Sequence, residues 1–165
     1  MSHSLTADEI IALLGLSPLE GEGGFFRQTW VRPAPPGRGT GAPDATAILY
    51  LVTPASFSAL HRLRDDELFH FYLGDPCEQV VIMPDGTAEQ TILGPDLRGG
   101  MIVQRLVPAG AWQGTRLVPG GRFALLGTTM TPGFDPGGFE LASREDLADL
   151  DPGVRARAEP FLAPR

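Results

Sequence analysis

The chain reads as an all-β protein built from antiparallel strands, and three observations carry that reading. Twenty-one glycines and 16 prolines in 165 residues cut it into short segments, which is a composition of turns rather than of long helices. Between the turns, short runs rich in Val, Ile, Leu, Phe and Tyr recur along most of the length, as successive strands do. No amphipathic helix is interposed between those runs, so the expected architecture is a sandwich or barrel rather than a doubly wound parallel sheet. A single domain is expected, long enough to enclose an apolar core without a disulfide or a structural metal.

The elements follow in order. Residues 5–14 place Leu5, Ile10, Ile11, Leu13 and Leu14 behind Thr6 or Asp8 and before Gly15, which predicts a short capped helix. Glycines 21, 23 and 24 precede a strand-like run at 25–31; with no helix pattern behind them they make a turn, not a phosphate loop. The Pro- and Gly-rich stretch 32–44 reads as a solvated loop. Strands are then expected at 45–53, 57–63, 67–74, 77–84, 88–94, 101–108, 110–118 and 122–132, with PDG and PGG turns ahead of two of them. The tail at 143–162 turns helical, with Ser143 followed by Glu145 and Asp146 at its entry.

Composition removes several function classes. A formal charge of −7 with no basic cluster lacks the electrostatic footprint that nucleic acid requires. No apolar run has the length of a membrane span, and MSHSLTADEI lacks the basic and apolar regions of a signal peptide, so a cytoplasmic location is expected. All 13 basic residues are arginine, which leaves no lysine for a pyridoxal phosphate Schiff base or for a nucleotide-binding phosphate loop. Cys77 stands alone, without a CxxC partner, and is expected to be a packed small residue. No GxSxG turn marks a serine hydrolase.

The stretch HRLRDDELFHFYLGD, residues 61–75, carries the candidate chemistry. His61 and Glu67 supply an imidazole and a carboxylate, which suit either the start of a Zn, Ni, Fe or Mn site or an acid/base couple. Strand alternation sends Glu67, Phe69 and Phe71 to one face and Leu68, His70 and Tyr72 to the other. A carboxylate facing a barrel interior beside two phenylalanines must be paired, protonated or metal-bound. Gln113 is a candidate reader of a polar substrate, Arg27 a candidate carboxylate anchor, and Phe69 and Phe71 candidate ligand-packing residues. His70, Tyr72, Thr29 and Ser58 are further candidates. Asp65 and Asp66 read as a solvated turn and Trp112 as a sheet-interface residue, while Phe134, Asp135 and Glu140 lie in a loop and strand near the C-terminus that the pattern does not place.

These residues resemble the cupin superfamily, whose first motif is G(X)5HXH(X)3-4E(X)6G and whose second is G(X)5PXG(X)2H(X)3N. His61, Glu67 and Gly74 match the first, and Pro108 and Gly110 match PXG in the second. Leu63 stands at the second histidine, Ala55 at the opening glycine, Gln113 at the last histidine and Leu117 at the asparagine. More narrowly, EGGFFRQT, SFSALHRLRDDELFHFYLGDP, PAGAWQ and PGFDPGGFELA are similar to blocks of cupin family five, and span residues 22–142. The resemblance implies a cupin-type jelly-roll barrel over 22–142, a lead-in helix at 1–21, a helical tail at 143–165, and commonly a homodimer. It also implies a small-molecule pocket in which His61 and Glu67 hold a divalent metal or act as an acid/base pair. Two functions then compete: an isomerase or epimerase of a small polar metabolite or sugar derivative, and a non-catalytic module that binds or senses one.

Overall fold

The computed structural model describes residues 5–37 and 41–164. The expectations for the first residues, for the middle of the 32–44 loop and for the end of the tail fall partly on residues 1–4, 38–40 and 165, which lie outside the described residues. Helix α1 (Ala7–Leu14) is followed by eleven strands, β1 (Ser17–Pro18), β2 (Phe25–Arg32), β3 (Ala45–Val52), β4 (Ser58–Leu63), β5 (Glu67–Gly74), β6 (Cys77–Ile82), β7 (Ala88–Leu93), β8 (Gln104–Val107), β9 (Trp112–Leu117), β10 (Ala124–Met130) and β11 (Phe139–Leu141), and by helix α2 (Pro152–Ala158). They form a six-stranded sheet ordered β1-β2-β3-β10-β5-β8 and a five-stranded sheet ordered β11-β4-β9-β6-β7. The strand pairs of both sheets are antiparallel. This is the expected all-β jelly roll.

Helix α1 starts where expected: the Thr6 hydroxyl accepts from the Glu9 amide while the Glu9 carboxylate accepts from the Thr6 amide. That reciprocal pair satisfies two amides the helix cannot bond itself. Gly15 ends the helix in the left-handed conformation at φ 61°. The strand expected at 101–108 is shorter, because residues 101–103 first pass β7 through a single bridge, Leu93 to Ile102. The helical tail is also broken. Short 3-10 turns at Glu145–Leu147 and Glu159–Phe161 flank α2, since Pro152 can open a helix and Pro160 cannot continue one.

Alternation along the strands builds three apolar layers. Tyr50, Phe69, Phe71, Cys77, Val81, Leu117 and Leu126 meet between the two sheets. On the outer face of the five-stranded sheet, Leu60, Val80, Ile82 and Trp112 pack under the tail residues Leu147, Val154 and Phe161. Gly114 is required there, because a Cβ would lie 2.8 Å from Phe161 Cβ. Helix α1 covers a smaller patch of the six-stranded sheet through Ile10, Leu16 and Leu51. Among the described residues, no helix is long and apolar enough to cross a membrane.

Candidate functional site

One end of the barrel interior is an opening of about 270 Å³ whose wall includes Glu22, Tyr50, His61, Glu67, Phe69 and Phe139. A larger groove, about 870 Å³, runs outside the six-stranded sheet past Trp30, Leu68 and Leu106. It contains neither His61 nor Glu67, so the chemistry is argued from the interior cavity.

Strand β4 brings His61 inward through an irregularity. Ser58 pairs with Thr115 and His61 with Gln113, so the register shifts between them, and two residues three apart face the same side. The His61 ring is 2 % exposed. Its Nδ1 lies 2.7 Å from the carbonyl oxygen of Ala59. A carbonyl can only accept, so Nδ1 carries the proton, and in the neutral tautomer of that ring Nε2 is the lone pair. Phe139 stacks on the imidazole at 5.3 Å between centroids.

Glu67 opens β5, opposite Met130 and Val107. Burial pushes its carboxyl above the usual glutamate range; the neighbouring Glu22 adds to the shift, while His61, Thr128 and Gln113 oppose it. Gln113 donates its amide N–H to Glu67 Oε2 at 2.8 Å. The Gln113 oxygen is buried without a partner, as is that of Gln79, whose nitrogen donates to Thr115 Oγ1 at 2.9 Å.

The glycines at 23 and 24 explain how Glu22 enters the site. Both have positive φ, and a Cβ would meet the Phe57 carbonyl oxygen at 2.3 Å from Gly23 and the Tyr50 ring at 2.6 Å from Gly24. Only glycine permits so close an approach of the chain. The turn is pinned as the Tyr50 hydroxyl donates to the Gly23 carbonyl at 2.7 Å and the Ala59 amide donates to the Glu22 carbonyl at 2.9 Å. Glu22 Oε1 thereby accepts from the Ser58 hydroxyl at 2.8 Å and sits 3.9 Å from His61 Nδ1. Burial and the Glu22 charge push the Tyr50 hydroxyl well above the usual tyrosine range. Tyr50 therefore holds its proton on Gly23 and acts as wall and strut.

The block at 132–142 forms the rim. Thr46 Oγ1 accepts from the Phe134 amide at 2.9 Å. Asp135 caps the 3-10 turn Pro136–Gly138 and pairs with Arg64 at 3.0 Å, and Glu140 pairs with Arg62 at 2.7 Å. That hydrogen bond and the two ion pairs carry Phe134, Pro136 and Phe139 to the cavity wall.

The structure brings His61, Glu67 and Phe69 to the cavity wall, with Gln113 bonded to Glu67 and Ser58 bonded to Glu22 behind it. It does not bring the others there. Arg27, expected as an anion anchor, is exposed on β2, where its neighbours Phe26 and Gln28 take the inward positions. Thr29 is exposed and its hydroxyl donates to the Ala47 carbonyl at 3.2 Å, next to a register shift in β2. Phe71 lies in the dry core farther along β5. His70 and Tyr72 point outward as alternation requires, with His70 between Thr129 Oγ1 and the Gln104 amide and Tyr72 51 % exposed. Asp66 does more than fill a solvated turn, since its Oδ1 accepts from the Ala109 amide at 2.7 Å and ties two loops together. Cys77 is a packed residue, and burial pushes its thiol up to about 12. Sequence reasoning missed Glu22 and did not place Tyr50. The signal was the EGG triplet, whose glycines mark a close approach rather than an ordinary turn.

A divalent ion finds no adequate donor set. Among the described residues no three His, Cys, Asp or Glu side chains converge as a metal-binding group. Leu63 lines the wall where the family pattern has a second histidine, and Gln113 turns its nitrogen, not its oxygen, to Glu67. Cupins often bind divalent metals, but these residues do not fit one.

Comparison with known proteins agrees with the geometry. Residues 8–142 match the family model Cupin_5, described as Cupin superfamily (DUF985). An uncharacterized protein of Saccharomyces cerevisiae is 28 % identical over 161 residues, covering 86 % of this chain and 79 % of the yeast protein. The solved structure of a protein from Shewanella oneidensis is 31 % identical with a TM-score of 0.87, over 98 % of this chain and 100 % of its own. A hypothetical protein from Leishmania major gives a TM-score of 0.87 at 28 % identity, over 97 % and 100 % of the two chains. With its two antiparallel sheets, its interior cavity and the match over residues 8–142, the chain belongs to the Cupin_5 family of the cupin superfamily.

Proposed function

We propose that the cavity is a small-molecule acid/base site, of the kind that carries out an isomerisation or epimerisation. The observation that carries this reading is the complementary state of two neighbouring groups. Ala59 holds the proton on His61 Nδ1 and leaves Nε2 basic, while burial favours the protonated form of Glu67. Environments that push two titratable groups apart in this way assign one as base and one as acid. His61 Nε2 takes a proton from a substrate carbon, and the electron pair moves to the adjacent carbonyl oxygen, which receives the Glu67 proton. Delivery of the His61 proton to the neighbouring carbon, or to the same carbon once the enol has turned its other face to Nε2, with return of an enol hydroxyl proton to Glu67, restores both residues. A histidine and tyrosine couple has no support here, since Tyr50 donates to Gly23 and Tyr72 is on the outside.

Deuterium wash-in from D2O, followed by proton NMR across a panel of small hydroxy-ketones and aldoses, tests the reading. A substrate should exchange with wild-type protein, and His61→Ala or Glu67→Gln should slow that exchange by about 100-fold or more. A compound that binds saturably yet never exchanges would move the protein to the runner-up reading, a binding or sensing module in which the same variants lose affinity alone.

The same reading includes a homodimer. The tail covers the outer face of the five-stranded sheet, whereas Trp30, Val103 and Leu106 stand exposed on and beside the strands of the six-stranded sheet. Uncovered apolar surface of this kind supports pairing with a second copy. Light scattering should give twice the chain mass, and Leu106→Asp should reduce it. A cytoplasmic location is part of the proposal, and cell fractionation checks it.

A further inference from the structure

The hydrogen-bonding inventory of the cavity is lopsided. Three donors around it are spent: the Tyr50 hydroxyl goes to Gly23, the Ser58 hydroxyl to Glu22 and the Gln113 amide to Glu67. Its acceptors are not. Glu22 keeps a carboxylate oxygen beyond its bond from Ser58, and His61 Nε2 is a free lone pair once Nδ1 donates to Ala59. Behind Glu67 the Gln113 oxygen, on a side chain 1 % exposed, has no donor at all. Gln28, Thr46 and Thr128 are the other neutral polar side chains of the wall.

Charge points the same way. Glu20 at the exposed rim, Glu22 and Glu67 line the cavity, no arginine does, and the chain has no lysine. Phosphate and carboxylate ligands are held by arginine or lysine forks, so an anion would meet only repulsion here. The remaining wall is aromatic, with Phe26, Phe69, Phe134 and Phe139. Aromatic faces attract cations as well as apolar bodies.

We infer that the ligand of this cavity is a small organic cation, an amine whose ammonium group donates to the Glu22 carboxylate and whose apolar body lies among the phenylalanines. The inference rests on the cavity being the small-molecule site, and it adds the substrate class. It also reverses the sign expected from Arg27, which the fold places outside.

Three probes of one shape and different charge test it: benzylamine, benzyl alcohol and benzoate, titrated into the full chain by isothermal calorimetry near neutral pH. Benzylamine should bind about tenfold or more tightly than benzyl alcohol, with no saturable binding of benzoate. Glu22→Gln should remove that preference by weakening benzylamine far more than benzyl alcohol, which a merely destabilised variant would not do; its circular dichroism melt confirms the fold. Equal affinity for amine and alcohol, tighter binding of benzoate, or no saturable binding of benzylamine overturns the inference. Any of these leaves the proton-transfer reading standing, because that reading is decided by deuterium exchange. Amine selectivity without exchange does the reverse.

Discussion

Phe71, Leu126, Leu117 and Cys77 sit at one end of the barrel interior, and Glu67, Thr128, Gln113 and Gln79 sit a few residues along the same four strands. The first group is a dry apolar layer. The second buries a carboxylate and two amides, and two of its oxygens have no partner. Identical backbone pairing therefore supports opposite energetics. Burial at the apolar end stabilises the fold, while each unsatisfied or ionised group at the polar end subtracts from it. Such a cost is expected where a cavity is kept ready for a ligand.

Substitutions should separate the two ends, and the largest effect belongs to the apolar one. Leu126→Ala, at a fully buried position, should cost about 3 kcal/mol in urea unfolding, because it leaves a cavity that the paired strands cannot collapse. Tyr50→Phe lies between the ends. It removes the bond to the Gly23 carbonyl and should cost about 1–2 kcal/mol, together with a loss of amine selectivity as Glu22 loosens.

At the polar end the sign should change. Glu67→Gln keeps the shape but removes a buried charge, so it should stabilise the protein by about 1 kcal/mol at mildly alkaline pH. The folded carboxyl sits above its usual range, so the proton-bound form contributes stability that wild type has at low pH and loses as pH rises through the folded value. The advantage of the variant should therefore shrink as pH falls through that value, in thermal melts across the range. A smaller effect is expected at Cys77, whose thiol is pushed up to about 12 by burial. Disulfide-exchange reagents at neutral pH should leave it unmodified until denaturant opens the barrel.

The fold was legible because turns and alternating strands are local signals. The inward set Glu67, Phe69 and Phe71 and the outward set His70 and Tyr72 follow from a period of two, and the strand keeps it. Position along the strand was not legible: parity put Phe71 on the same face as Glu67, but only the pairing with Leu126 shows that it lies in the dry layer. Arg27 was misjudged for a related reason, since the alternation of β2 was not referred to Phe26 and Gln28. Glu22 was hidden because its role depends on a close approach between segments far apart in sequence, Gly24 against Tyr50 and Gly23 against Phe57. The hairpin-like rim at 132–142 stayed unplaced because its ion pairs with Arg62 and Arg64 are equally non-local.

Nitrogen-15 NMR of the His61 ring tests the central claim most directly. The account predicts that the neutral imidazole is the Nδ1–H tautomer, with an unprotonated Nε2 whose shift responds when benzylamine is added. A neutral ring carrying its proton on Nε2 would contradict it, because neither a base nor a free acceptor would then face the cavity.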